Sequence, residues 1–386
     1  MFIFKLLLKN AFRHKLRTIL TMVGLVVAIS SFGLLRTIVD AWYAGVDATS
    51  STRLITRSSI SLGYPLPLYY AERIRSIDGV TDISWANWFG GTYIDKRHGF
   101  AQFAVNARSY FPMYPEYILS DEEKEAFFHD RTGAVIGRKL AARNNWKVGD
   151  TIPLIGTIYP GTWNFTIRGI YKATDPNTDE NLMIMHWQLV SDSLRKHFSS
   201  EIANKVGVYV VNIKDPGRAA AISQEIDLLF KNSAAETRTE TEKSFQLGFV
   251  AMSQSILMAI RAVSFVVILI IMAVMANTMT MTARERLAEY ATLKALGFSP
   301  NFVVKLLFGE SLTIAALGGG AGILVTFPMA KAFVSQTGAL FRVFEISPQT
   351  MLLQATAAMV VGLIAAAWPA WKMSRIDIVQ GLRHVA

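Results

Sequence analysis

Cysteine is absent from this chain of 386 residues, charged side chains make up only 18% of it, and no glycine is followed by lysine. Without thiols there is no disulfide staple, no thiolate metal site and no cysteine nucleophile. Without a Gly-Lys step there is no Walker A loop, so the chain does not bind ATP in that manner. The six histidines, at 14, 98, 129, 186, 197 and 384, show no HExxH or other ligand spacing, and there is no GxSxG elbow. The expectation is a non-catalytic chain with no metal or cofactor of its own. Its charged share falls below the roughly 25% of soluble domains, which points to a membrane protein.

What the sequence does contain is apolar length. Four runs, Thr18 to Val39, about Ile256 to Met281, Ser311 to Phe333 and Thr350 to Trp371, each approach or exceed the ~20 residues that cross a bilayer core. Between the first two runs the pattern is that of a soluble domain. Thr162 to Tyr171 and Gly207 to Ile213 read as strands, Leu68 to Ile77 and Arg218 to Phe230 as helices, and the acidic run Asp121 to Glu125 as a solvated helix start. The expected fold is therefore an α-helical membrane protein: four transmembrane helices with a large α+β extracytoplasmic domain inserted between the first and second.

The segments follow. Residues 1–17 are a cytoplasmic amphipathic helix and 18–40 the first transmembrane helix, with the α+β domain over 41–250. The second transmembrane helix covers 251–281, a cytoplasmic helix and turn 282–300, and the third transmembrane helix 301–334. A short outer loop over 335–349, a fourth transmembrane helix over 350–371 and a cytoplasmic tail over 372–386 complete the chain.

A net charge of +10 would by itself permit a nucleic-acid partner, so its distribution decides. Lys5, Lys9, Arg13, Lys15 and Arg17 give the first segment +5 with no acid, the 283–300 loop carries +1 and the tail from Lys372 +2. Residues 41–255 hold 23 basic and 23 acidic side chains. All three positive segments fall on one side of a four-span chain, so both termini are expected in the cytoplasm and the neutral domain outside. The excess charge is a topology signal rather than a nucleic-acid footprint. Lys5, Lys9, Arg13 and Arg17 recur at i+4 and form one stripe of an interfacial helix against membrane lipid.

The loop after the second run is the most informative short stretch. Ala283 to Leu296 are good helix formers, Gly297 stops them as a C′ residue, and Ser299-Pro300 supplies a cap and a first-turn proline for the next helix. Arg286 can pair with Glu289 at i+3, while Leu287, Ala291 and Lys294 share a stripe beside Leu293 and Leu296. Such a helix can dock a cytoplasmic protein or simply connect two spans. Gly318, Gly319, Gly320 and Gly322, inside the third run, lack the strand and Lys of a phosphate loop and read as close helix packing.

The stretch from Ala276 to Ile323, ANTMTMTARERLAEYATLKALGFSPNFVVKLLFGESLTIAALGGGAGI, resembles the FtsX-like permease domain of MacB-type (type VII) ABC transporters. Asn277, Arg284, Arg286, Glu289, Lys294 to Gly297, Ser299 and Glu310 carry the likeness. The basic entry into the first run, the closing PAWKMSRIDIVQGLR and the phrase AVIGRKLAARNNWKVGDTIPL agree with it, and the insert has the size of a two-lobed MacB-type ectodomain. The resemblance implies a plasma (inner) membrane permease subunit that works as a homo- or heterodimer with a separate ABC ATPase, which binds the ATP, and with a periplasmic adaptor or outer-membrane partner. It implies that Arg284, Arg286, Glu289, Leu293, Lys294, Ala295, Leu296 and Gly297 form the ATPase-coupling helix. It also implies that a helix from Glu240 to Met258, continuous with the second span, transmits ATP-driven motion to the ectodomain for export or extraction of a substrate. The alternative within the family is activation of a cell-wall hydrolase.

Overall fold

The computed structural model describes residues 13–47, 49–93, 99–175, 177–197, 199–337 and 344–375. Most of the expected amphipathic helix over 1–17, the tail beyond Arg375 and the middle of the 335–349 loop lie outside these residues. The chain divides into two compact units, one of Met1–Asp40, Gln254–Gln336 and Phe344–Ala386, the other of Ala41–Ser253 with Thr337–Val343.

The first unit is a helical bundle. Among the described residues four helices are long and apolar enough to cross a membrane: span 1 (Lys15–Asp47), span 2 (Gln254–Glu285), span 3 (Pro300–Thr337) and span 4 (Pro348–Ser374). Each overruns at least one end of its apolar run because a helix continues into polar residues for as long as its backbone bonds are made. A short helix, Leu287–Ala295, joins spans 2 and 3. Ser347 caps span 4 by accepting from the Thr350 N–H, with Pro348 in the first turn.

In lipid the hydrophobic effect gives helices no reason to prefer one another, so shape and a few hydrogen bonds decide. A Cβ on Gly318 would lie 2.8 Å from Leu25 Cδ2, one on Gly322 2.9 Å from Ile29 Cβ, and one on Gly319 2.5 Å from Ala358 Cβ. Three of the four glycines between 318 and 322 thus let spans 1 and 4 approach. Gly320 faces open space. Gly33 does the same service in span 1, where any Cβ would overlap the amide of Gln354. That amide is fully buried and donates to Ile29 O at 2.9 Å and Thr326 Oγ1 at 2.8 Å, joining spans 1, 3 and 4. Ser311 Oγ donates to Gly362 O at 2.6 Å between spans 3 and 4, and Thr21 and Thr278 hydroxyls meet at 3.1 Å between spans 1 and 2. Arg36 and Asp40 pair at 3.1 Å one turn apart, as their spacing suggests, and Asp40 also accepts from Thr350.

The second unit is α+β. Its strands are β1 (Arg53–Ser58), β2 (Leu66–Pro67), β3 (Val80–Trp88), β4 (Gly91–Thr92), β5 (Ala101–Val105), β6 (Tyr117–Ile118) and β7 (Gly133–Gly137). They continue with β8 (Thr151–Gly156), β9 (Gly161–Ala173), β10 (Leu182–His186), β11 (Lys205–Val206), β12 (Val208–Ile213) and β13 (Thr237–Thr241). The main sheet runs β13-β1-β12-β3-β5-β10-β7-β9-β8-β4, with β6 on β9. Pairing is antiparallel except for β5 with β10 and β7 with β9. The main sheet is thus one continuous hydrogen-bonded ladder, with β3 paired to β5 near its middle.

Central strands β7 and β10 are buried at every position. Successive side chains point to opposite faces, and each face has its own core: Ala134, Ile136, Met183 and Met185 pack on one, Val135 and Ile184 on the other. The first face is covered by helices Tyr70–Arg75 and Ala219–Leu229 through Ile74, Ile222 and Ile226, the second by Ala107–Met113 and Asp121–His129 through Phe111 and Phe127. The acidic run opens its helix through a capping box between Ser120 and Glu123.

One expectation is corrected. The helix drawn from Glu240 to Met258 into span 2 is not continuous. Glu240 belongs to β13, a helix covers Glu242–Met252, and Ser253 (φ −100°, ψ 7°) separates it from span 2. Paired with β1 through Thr241, β13 holds Glu240 and Thr241 extended, which apolar periodicity does not register.

The entry and exit of this unit are tied by a buried cation. Arg53, the first residue of β1, donates to Glu242 Oε2 at 2.8 Å, to Met113 O at 2.8 Å and to both oxygens of Glu116, with Tyr114 stacked beneath it. Burial lowers the affinity of its guanidinium for a proton, but the Glu116 hydrogen bond and the Glu242 charge outweigh that and raise its pKa.

Two outcomes follow. Gly319→Ala lowers the thermal midpoint of the purified full-length protein by several degrees, because the clashing Ala358 Cβ is fixed to backbone, whereas Gly320→Ala leaves it unchanged or higher. Arg53→Ala strands the buried Glu242 and the half-buried Glu116 and costs ~3–5 kcal/mol, seen as a lower urea midpoint by tryptophan fluorescence.

Candidate functional site

The first unit contains an ion-paired junction where the short helix meets three of the four spans. Span 2 ends at Glu285, and Arg286 (φ −100°, ψ 15°) leaves helical geometry before the chain re-enters a helix at Leu287. This corrects the single helix expected over Ala283 to Leu296: Ala283 and Arg284 belong to the last turn of span 2. The cause is the Arg286 side chain, only 7% exposed, which turns inward to donate to Glu310 Oε2 of span 3 at 2.9 Å and to Glu289 Oε2 at 2.9 Å. The i+3 pair read from spacing is present, and the more deeply buried partner lies 24 residues away.

The junction extends to span 1 and span 4. Arg13, just before span 1, pairs with Glu289, and Arg17 makes two bonds to Glu285, at 2.8 and 2.6 Å, with His14 at 3.3 Å. Two residues of the basic stripe expected against lipid thus meet acids of the adjoining elements. Lys294 Nζ donates to Met373 O at 3.3 Å and Ser374 O at 2.9 Å, satisfying carbonyls at the C-terminus of span 4.

Burial alone lowers Arg286's pKa, yet Tyr290, Glu289 and Glu310 raise it above the ordinary value. Burial raises that of Glu289, and the hydrogen bonds from Arg13 and Arg286 outweigh it to hold the carboxyl below its usual range. The surroundings of both groups thus favour their charged forms.

The eight residues expected to act together separate into two sets. Arg286, Glu289, Leu293 and Lys294 turn toward the bundle, where Leu287 and Leu293 pack on its core with buried Tyr290 and Ala291. Arg284, Ala295, Leu296 and Gly297 are exposed. Gly297 has φ +91°, the left-handed C′ position its place after the helix demands. The turn it makes presents Leu296, 72% exposed, beside Phe298 and Phe302, whose rings lie 4.9 Å apart. The two phenylalanines were not singled out in the sequence, although apolar side chains flanking a Gly-x-Ser-Pro turn were the available signal.

Among the described residues no group of three or more His, Asp or Glu side chains can hold a metal ion. What the junction can do is mechanical: it fixes a short helix to three spans and leaves an apolar turn facing outward.

The FtsX-like permease C-terminal model matches residues 261–378, and the MacB-like periplasmic core domain model matches residues 18–229, more than half of the chain. An uncharacterised ABC transporter permease of Methanocaldococcus jannaschii is 22% identical over 97% of this chain and 96% of its own length. The ABC transporter permease YtrF of Bacillus subtilis is 26% identical over 58% of this chain and 53% of its own. The pyoverdine export ATP-binding/permease protein PvdT of Pseudomonas syringae is 31% identical over 38% of this chain and 20% of its own. Among solved structures, the periplasmic region of MacB from Actinobacillus actinomycetemcomitans aligns with a TM-score of 0.38 at 9% identity, over 53% of this chain and 95% of that one. The chain belongs to the family of FtsX-like permeases with a MacB-like periplasmic core domain: it is a multi-pass membrane protein and the permease component of a MacB-like ABC transporter, which implies an ABC ATPase partner.

Proposed function

We propose that this permease couples ATP hydrolysis in a separate ATPase subunit to movement of its extracytoplasmic domain, and so exports or extracts a substrate without a catalytic residue of its own. The observation that carries the reading is the junction at Arg286: a short helix pinned to spans 1, 3 and 4, with Leu296, Phe298 and Phe302 turned out of the bundle. An apolar turn held on a rigid base is what a nucleotide-driven partner needs in order to push on several helices at once. The absence of a Gly-Lys step in the sequence supports a partner that supplies the ATP site. The positive segments support a cytoplasmic placement of both termini and of this turn. Export is favoured because relatives such as PvdT bear export in their names.

The working assembly in this reading is a dimer of permease chains, identical or not, with a separate ATPase and a periplasmic adaptor or outer-membrane partner. Force enters at the turn, and spans 1 and 2, which lead directly into the ectodomain, deliver it.

The test separates docking from folding. Leu296→Asp with Phe298→Asp is expected to abolish copurification of the ATPase and its turnover in membranes, with the thermal midpoint of the permease unchanged. If copurification and turnover persist, the turn is not the docking surface. Removing one member of the buried pair acts differently. Glu310→Leu leaves a buried guanidinium short of a partner and costs ~3–5 kcal/mol, whereas the double replacement Arg286→Met with Glu310→Leu recovers most of the thermal midpoint. With the pin gone, the double variant binds the ATPase but shows uncoupled turnover, read as ATP hydrolysis that no longer responds to the ectodomain's substrate.

A further inference from the structure

The end of span 4 carries a surface that the junction does not use. Its inward face, Val361, Ala365, Ala366, Pro369, Ala370 and Met373, is packed in the bundle. The outward stripe reads Leu363, Ile364, Trp368, Trp371, Lys372, Arg375, so its character passes from aliphatic to aromatic to cationic. Both indoles are 53% exposed. Each is overlaid by the cation four residues on: Lys372 Nζ lies 5.2 Å from the Trp368 ring and Arg375 Cζ 4.5 Å from that of Trp371. Among the described residues neither cation pairs with a carboxylate. The C-terminal carbonyls of the helix, which would otherwise attract them, are taken by Lys294.

We propose that this face holds a phospholipid with an anionic headgroup, its phosphate between Lys372 and Arg375, its glycerol level at the two indoles and an acyl chain along Leu363 and Ile364. The order of side chains is that of the lipid itself: apolar body, amphipathic interface, charged head. Two cations against one phosphate leave a net positive site, which favours a headgroup with no ammonium of its own. A second copy of the chain is a poor occupant. Packing this face against itself would bring the two cation pairs together. The proposal does not depend on how the ATPase docks.

The test uses the purified full-length protein in detergent, titrated with phosphatidylglycerol or phosphatidylcholine brominated in the acyl chains, with tryptophan quenching as the signal. Phosphatidylglycerol is expected to bind about tenfold more tightly than phosphatidylcholine, and K372Q/R375Q to lose about tenfold for phosphatidylglycerol alone, with helicity by circular dichroism unchanged. K331Q, which removes one positive charge from span 3 away from this face, leaves binding unaltered. W368L/W371L removes the saturable part of the quench, since five of the other six tryptophans, at 85, 88, 146, 163 and 187, lie in the α+β unit and Trp42 lies at the end of span 1 away from Arg17. Equal affinity for the two lipids, an equal effect of K331Q, no effect of K372Q/R375Q, persistence of the saturable quench in W368L/W371L or displacement by millimolar inorganic phosphate would each overturn the assignment.

Discussion

The buried pairing of Arg286 with Glu310 constrains everything around it. A guanidinium that is removed from water must be paired, and the nearest deeply buried carboxylate belongs to span 3 rather than to its own helix. To reach it the backbone leaves helical geometry at Arg286, which ends span 2 and begins a new helix one residue later. That break is why Lys294 comes to the end of span 4 and Leu293 to the core. It is also why Leu296, Phe298 and Phe302 are left outside.

The rest of the bundle is organised by small side chains and a few buried polar ones. A Leu is as comfortable against an acyl chain as against another Leu, so register between spans cannot come from hydrophobic burial. It comes instead from places where only glycine fits, at Gly33, Gly318, Gly319 and Gly322, and from the hydrogen bonds those approaches permit. Gln354 illustrates the dependence: its amide reaches Ile29 O only because residue 33 has no side chain. A one-residue slip of span 4 would strand that amide in an apolar interior. The pairing of spans 1, 3 and 4 is therefore specific although its surfaces are nearly uniform in hydropathy.

Much of this was legible in the sequence and some was not, for physical reasons. Apolar length gives the four spans, capping chemistry gives Ser347-Pro348 and the Gly297 turn, and alternation gives β9 and β12, because each is a local rule. The i+3 pair of Arg286 and Glu289 is equally local. What escaped is long-range: Glu310 as the inner partner of Arg286, Arg13 and Arg17 as partners of Glu289 and Glu285, Lys294 on the end of span 4, and Gln354 between three helices. Nothing in a linear pattern tells which of many arginines meets which acid. The breaks at Ser253 and Arg286 escaped for a related reason, since helix-forming residues flank both and tertiary pairing overrides their propensity.

Those two breaks bear on how the chain can move. Span 2 is a helix of 32 residues, bounded at both ends by a residue off helical geometry. A long helix is stiff along its axis, so displacement is taken up at its ends. At Arg286 the end is fixed by a buried ion pair. At the other, the helix Glu242–Met252 is fixed to β1 through Glu242 and Arg53, so the single residue Ser253 lies between two elements that are each held firmly within their own unit. On the proposed reading, motion introduced at the junction has one joint available in this path. Within the second unit, the pairing of Arg53 with Glu116 and Glu242 is what fixes the start of that helix to β1.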